Sequence, residues 1–121
     1  MKGKTMKESI AELVWKSDDG RLIVEDFGDS NYLLSEVMAG SPNRPIARVE
    51  FQSGLVKNEG HNGWTGEALL GLLIHRTETV NKRFPCPENV AAIQDMKDAM
   101  YQFDERVRNR ALRGVNDSHK V

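Results

Sequence analysis

The order of its elements predicts that this chain has an α+β fold, with an N-terminal antiparallel β-meander followed by a C-terminal antiparallel helical hairpin. Turn-forming residues bracket short β-rich stretches in the first half, whereas the second half carries apolar residues at steps of three and four. Only a short Phe-Pro-Cys-Pro break separates the two helical stretches, so we expect them to be antiparallel neighbours. The sheet is assigned to residues 1–60 and the hairpin to residues 61–121, together forming one compact domain.

Two strong turns divide the predicted sheet region. They are Ser-Asp-Asp-Gly at residues 17–20 and Gly-Asp-Ser-Asn at residues 28–31. Residues 9–15 suit either a short helix or a strand, after a loose tail over residues 1–7. The remaining expected elements are strands at 22–24, 32–38 and 46–52, a loop at 39–45, and a loop or short edge strand at 53–60. Alternation in the last strand places Ala47, Val49 and Phe51 on one half-buried face.

The second helix has the clearer pattern. Its apolar stripe, which must be covered by a partner, consists of Ile93, Met96, Met100, Phe103 and Val107. Pro87 suits the first helical position, Glu88 favours the positive end of the helix dipole, and Gly114 ends the helix. At about 1.5 Å per residue the helix is roughly 40 Å long, which suggests pairing beyond its own chain.

The first helix begins after Thr65, a good N-cap, with Glu67 in its first turn. It ends at Phe84, because the residue before Pro85 is restricted to extended backbone. The residues predicted to share one side are Leu69, Leu72, Leu73, Arg76 and Val80.

Composition excludes several classes of function. With a net charge of −1 over 121 residues, nothing global favours a nucleic-acid polymer or an anionic membrane, so any anion site must be local. No apolar run approaches the roughly 20 residues that span a bilayer, and the polar start lacks the apolar core of a signal peptide. The lone cysteine, Cys86, excludes an intrachain disulfide and fits a reducing cytoplasm.

The residues that usually carry catalysis or bind metals are scattered. His61, His75 and His119 have no ligand spacing with Cys86, so we expect no metal site. No nucleophile has an identifiable base, and no glycine-rich phosphate loop is present. Residues 18–19 (Asp-Asp) beside a glycine favour a plain turn over a cation site. Cys86 stands where a thiolate is favoured, although a capping role explains it more simply.

The arginines at the end of the second helix form the main candidate site. On a helical wheel Arg106, Arg110 and Arg113 cluster beside the apolar stripe, while Arg108 falls on its other flank. Two guanidinium groups one turn apart can clamp a pyrophosphate through paired hydrogen bonds. The alternative is a solvated face whose arginines pair with Asp104, with the neighbouring Glu105 or with acids of another chain.

The hairpin resembles that of two kinds of phage sponge protein, the Thoeris anti-defence type-one sponges and the anti-CBASS sponges for cyclic nucleotides. The residues that carry the resemblance are Asn62-Gly63, Thr65, Glu67, Leu69-Leu70, His75-Arg76, Phe84, Cys86, Glu88-Asn89, Arg106, Arg110 and Arg113-Gly114-Val115. The strand-rich first half, including Phe-Gln-Ser-Gly at residues 51–54, is similar to the Thoeris branch in particular.

The resemblance implies a ligand site at Asn89, Arg106, Arg110 and Arg113, with no catalytic residue, metal or cofactor. The sequence departs from the pattern at Pro87, at residues 116–119 and at Val80, where related proteins tend to carry an aromatic residue. The adenine-stacking contact is then expected from Trp64, Trp15 or Phe84.

The function implied by the resemblance is sequestration in the cytoplasm of an infected bacterium. The protein would bind the cyclic ADP-ribose signal of a Thoeris sensor, glycocyclic ADP-ribose, without degrading it. Two alternatives stay open: a sponge for cyclic di- or trinucleotides of CBASS immunity, and a phage assembly protein whose hairpin oligomerises. Because Asn89 and Arg106 lie about 25 Å apart on one helix, we expect pockets shared between chains of a homodimer or of a higher oligomer of dimers.

Overall fold

The computed structural model describes residues 11–113, which fall into two compact units with their boundary between Ser53 and Gly54. The first is a four-stranded sheet and the second is helical, so the α+β class is confirmed. The strands are β1 (Glu12–Lys16), β2 (Leu22–Gly28), β3 (Asn31–Glu36) and β4 (Arg44–Glu50). The helices are α1 (Val56–Glu59), α2 (Gly66–Arg83) and α3 (Pro87–Leu112).

The sheet is an antiparallel meander in the order β1-β2-β3-β4, as predicted. Residues 9–15, which suited helix or strand, contribute to β1 where they are described. The first turn is fixed by Asp19, whose carboxylate accepts hydrogen bonds from the Ser17 hydroxyl at 2.7 Å and from the Arg21 backbone N–H at 3.0 Å. These contacts support the plain-turn interpretation of this acidic pair.

One row of paired residues in the sheet is apolar across all four strands. The register pairs Trp15 with Val24, Val24 with Leu34, and Leu34 with Ala47. The next row along the same face carries the Tyr32 and Phe51 rings, which meet edge to face with centroids 5.6 Å apart. The predicted common face of Ala47, Val49 and Phe51 therefore agrees with the sheet register.

Two predictions around β4 are wrong. The strand begins at Arg44, inside the predicted loop, because the Arg44 guanidinium pairs with Glu36 on β3 at 2.7 Å and Pro45 is tolerated on an edge strand. Residues 53–60 contain α1 rather than only a loop or an edge strand. The Gly60 N–H donates a hydrogen bond to the Val56 carbonyl at 2.7 Å and closes the single turn of this helix. A helix of one turn is too short to show a hydrophobic period in the sequence.

The helical hairpin forms as predicted. The hydroxyl of Thr65 caps α2 by accepting from the Ala68 N–H at 3.1 Å, and Cys86 caps α3 with Pro87 in the first turn. The connection is braced by Asn81, whose side-chain oxygen accepts from the Cys86 N–H at 3.1 Å. The predicted stop at Gly114 and the predicted N-terminal tail lie outside the described residues.

The face of α2 that packs on α3 carries a glycine and two acids. A Cβ atom added to Gly71 would lie 3.7 Å from the Met100 methyl carbon, and ion pairs join Glu67 to Arg106 and Glu78 to Lys97 across the hairpin. Leu72 and Leu73 instead remain 51% and 50% exposed. Glycine on the packing face lets the two helices approach closely, and hydrophobic periodicity does not report this contribution because glycine has no side chain.

None of the described helices is long and apolar enough to cross a membrane.

Candidate functional site

Arg106 lies at the open end of the hairpin and is held in position by two neighbours. Its Nη2 is 3.2 Å from Oε2 of Glu67, in the first turn of α2, and its guanidinium carbon is 5.0 Å from the centroid of the Phe103 ring. The ion pair and the cation–π contact together restrict the guanidinium. The Arg106 side chain is still about half exposed, so donors remain available to a ligand.

Arg110 lies one helical turn beyond Arg106 on the same face. It is half-buried, and within residues 11–113 its side chain forms neither a hydrogen bond nor an ion pair. Because Glu67 at the start of α2 pairs with Arg106, Arg110 lies at the same end of the hairpin as the residues that precede α2. A partly buried guanidinium without an acidic partner is an arrangement that suits an incoming anion.

Arg108 is engaged elsewhere. Its Nη2 donates to Oε2 of Glu105 at 2.7 Å, and its guanidinium lies 6.0 Å from the centroid of the Tyr101 ring. Hydrogen bonding from Arg108 and then from Tyr101 lowers the pKa of Glu105, and the hydrogen bond to Glu105 raises the pKa of Arg108. This arginine therefore matches the structural alternative, a solvated face that satisfies its own charges.

Arg113 is the C-cap of α3 and is exposed. Its backbone N–H donates to the Asn109 carbonyl at 3.0 Å. A guanidinium at this position also interacts favourably with the negative end of the helix dipole. Arg113 can therefore stabilise the helix end, whether or not it also contacts a ligand.

Asn89 lies at the opposite end of the hairpin, about 25 Å along α3 from Arg106. Its backbone N–H donates to Sγ of Cys86 at 3.4 Å, and its side-chain amide donates to the Phe84 carbonyl at 3.5 Å. The structure thus brings Arg106 and Arg110 together but does not bring Asn89 to them within one chain. Cys86 acts as the helix cap, in agreement with the simpler interpretation of this residue.

The candidate stacking aromatics are distributed over both ends of the hairpin and the sheet. Phe84 is 69% exposed beside the Asn89 end, with the Arg83 guanidinium 6.0 Å from its centroid. Trp64 is 39% exposed next to the cap of α2, at the arginine end. Trp15 lies on β1 in the other unit. Phe84 and Trp64 are therefore the aromatics that accompany the two parts of the expected ligand site.

Sequence reasoning placed Glu67 in the hairpin pattern but not in the site. Its contact with Arg106 spans 39 positions in the sequence, and no periodic pattern reports a contact between two helices. The useful signal would have been an acid in the first turn of α2 facing a basic last turn of an antiparallel α3. Within the described part of the chain, no three His, Cys, Asp or Glu side chains come close enough to share a metal ion.

Comparison with known proteins gives one informative relationship. No family model matches the chain. It is 36% identical over 94 residues to a protein named Thoeris anti-defense 1 from Bacillus phage SBSphiJ7. The match covers 77% of this chain and 63% of the relative, so the chain spans less than two thirds of the relative's length. This chain is therefore similar to a Thoeris anti-defence protein over most of its own length.

Proposed function

We propose that this protein is a phage anti-defence sponge, which binds a cyclic ADP-ribose signal of Thoeris immunity and withholds it from its effector without cleaving it. The observation that carries the proposal is the relationship to Thoeris anti-defense 1 over most of this chain. The neighbouring arginines near the end of α3 support the proposal, because a local positive group on a protein of nearly neutral net charge suits capture of a small anionic nucleotide.

The arginine end of the hairpin supplies the phosphate-binding chemistry of the proposal. Arg106 is restricted by Glu67 and Phe103, so less conformational entropy is lost when it binds a phosphate oxygen. Arg110 adds a second fork of donors one turn away. Two such groups match the two negative charges of a pyrophosphate.

A second copy of the chain completes the proposed pocket. Asn89 is about 25 Å from Arg106 along α3, whereas a nucleotide of this kind is about 10 Å across and each side chain reaches only about 5–7 Å. An antiparallel two-fold pair of hairpins lays Asn89 of one chain against the arginines of the other and forms two equal pockets. The same pairing brings the exposed Phe84 ring to the arginine end, where it can stack on adenine.

The test of sequestration is recovery of the ligand. The purified protein is incubated with glycocyclic ADP-ribose, washed, and then denatured by heat. A sponge releases the unchanged nucleotide, whereas an altered nucleotide indicates an enzyme and no retained nucleotide indicates an assembly protein. Because a sponge acts stoichiometrically, we expect a dissociation constant of about 1 nM, or about −12 kcal/mol, and a constant of about 1 µM would contradict the proposal.

The shared pocket is tested separately by mixing variants. An Asn89→Ala chain and an Arg106→Ala/Arg110→Ala chain are each expected to lose binding. In a mixed dimer both defects fall in one pocket and the other pocket is intact, so mixing should restore binding to about half of the sites in the mixed dimers. If heterodimers form and binding does not return, each pocket is built from a single chain.

A further inference from the structure

Glu67 is an acid inside a site that is expected to bind an anion. Its Oε2 atom pairs with Nη2 of Arg106, while the described residues leave Oε1 without a hydrogen-bond partner. The Glu67 side chain is about one quarter exposed to solvent. With Arg110 one turn away, the three groups carry a net charge of only about +1.

This arrangement is a poor receptor for phosphate alone. A carboxylate within a few ångströms of a pyrophosphate repels it, and removal of the carboxylate would leave two arginines for two negative charges. The repulsion becomes useful if the ligand carries hydroxyl donors next to its phosphates, because a carboxylate accepts such donors strongly. Ribose hydroxyls beside a phosphate are recognised by acidic residues in other nucleotide-binding folds.

We infer that Glu67 is a ligand-contacting residue that accepts a hydrogen bond from a ribose hydroxyl, so that the site recognises a phosphate joined to a sugar rather than a phosphate alone. This inference rests on the proposed function, since it assigns a role to Glu67 in that same pocket. Arg106 positions the carboxylate, and the carboxylate in turn positions Arg106. Free phosphates and inorganic pyrophosphate, which are abundant in a cell, would be disfavoured by the same group.

A structural role for Glu67 predicts a different result, and the chain offers a matched control. Glu78 forms an equivalent ion pair across the same two helices, with Oε2 3.2 Å from Nζ of Lys97, but it is remote from the arginine end. Any general effect of losing a bridge between α2 and α3 should appear in Glu78→Gln as well as in Glu67→Gln.

The experiment measures binding of glycocyclic ADP-ribose by calorimetry, and competition by inorganic pyrophosphate, for the wild type and both variants. For Glu67→Gln we expect about tenfold weaker binding of the nucleotide together with about two- to fivefold stronger competition by pyrophosphate. Glu78→Gln should match the wild type in both measurements.

Each other outcome has a defined meaning. If Glu67→Gln binds the nucleotide as tightly as the wild type or more tightly, Glu67 is only a structural or competing group and the inference is overturned. If both variants weaken nucleotide binding equally, the effect belongs to the hairpin and the inference is again overturned. If pyrophosphate competes with no variant, the nucleotide measurement decides alone. Failure of the wild type to bind the nucleotide would overturn the proposed function and this inference together, which distinguishes it from the preceding results.

Discussion

The sheet and the helical hairpin each contain an acid that pairs with arginine, but they differ in whether a second arginine shares that acid. In the sheet, Glu36 lies between Arg44 and Arg21, with nitrogen–oxygen distances of 2.7 and 3.8 Å. In the hairpin, Glu67 pairs with Arg106, while Arg110 has no acidic partner among the described residues. In the sheet both arginines share one acid at an exposed surface, whereas the hairpin leaves Arg110, a partly buried cation, without an acidic partner among the described residues.

The two units also differ in what fixes them. The sheet joins strands that are consecutive in sequence, and its first turn is closed by the local side chains of Ser17 and Asp19. The hairpin depends on contacts such as that between Glu67 and Arg106, 39 positions apart. In this chain, local sequence patterns are therefore enough to explain the sheet. The candidate ligand site instead forms where two helices that are distant in sequence come together.

The largest expected effect separates the two candidate ligand-binding arginines, Arg106 and Arg110, from Arg108. The double variant Arg106→Ala/Arg110→Ala should lose about 3 kcal/mol or more of ligand binding, because each arginine contributes about 1.5–3 kcal/mol through charge-assisted hydrogen bonds. Calorimetric titration with glycocyclic ADP-ribose measures the loss.

The control is Arg108→Ala, which breaks only the exposed contacts with Glu105 and Tyr101 and should bind almost as the wild type does. Thermal unfolding should change little in either protein, since the affected ion pairs are on the surface. If Arg108→Ala proves the more damaging substitution, the assignment of the ligand-facing side of α3 is wrong.

The sequence predicts that the helical hairpin forms and that its helices are antiparallel, but it does not predict which sides of the helices pack together. Thr65, Pro87 and the short connection predicted where the helices begin and that they are antiparallel, because caps and connections are local. The side of α2 that faces α3 was not accessible. Gly71 lies on that side, where its lack of a side chain leaves room for Met100. A helical wheel marks apolar side chains and therefore gives no weight to a glycine.

The second prediction tests that packing. Gly71→Leu should destabilise the hairpin by about 1–3 kcal/mol, because a large side chain cannot fit where even a Cβ atom would lie 3.7 Å from the Met100 methyl carbon. Urea unfolding followed by Trp64 fluorescence in a Trp15→Phe background reports on this unit.

Gly71→Ala is the matched control for size. A single methyl group there makes an ordinary van der Waals contact, and alanine favours a helix over glycine by about 0.5–1 kcal/mol, so this variant should be as stable as the wild type or more stable. Equal stability of the alanine and leucine variants would show that Gly71 does not face α3.

The sheet could be predicted from the sequence only as far as its turns could be recognised. Asp19 and Gly20 marked one hairpin, and the residues around Asp29 marked the next, because left-handed backbone and side-chain turn bonds need those residue types. The start of β4 was missed, since Pro45 discourages a strand unless it lies at an edge, and edge position depends on the whole sheet. The candidate phosphate-binding arginines follow from spacing and resemblance, but the contact between Glu67 and Arg106 joins two helices and is visible only in the folded structure.

The smallest expected effect belongs to the first turn of the sheet and depends on pH. The hydrogen bond from the Ser17 hydroxyl, followed by that from the Arg21 backbone N–H, lowers the pKa of Asp19 below its ordinary value of 3.8. A carboxyl group whose pKa is lower in the folded state stabilises the fold above its unfolded pKa, and this contribution is lost as the pH falls through the folded pKa. Asp19→Asn should therefore unfold at slightly lower urea concentration than the wild type near neutral pH, with the difference shrinking as the pH approaches about 2.

Trp15 fluorescence in a Trp64→Phe background follows unfolding of the sheet. The control is Asp18→Asn, which removes a neighbouring carboxylate without changing these hydrogen bonds. A difference between Asp19→Asn and the wild type that does not change with pH would assign the effect to turn geometry rather than to the charge.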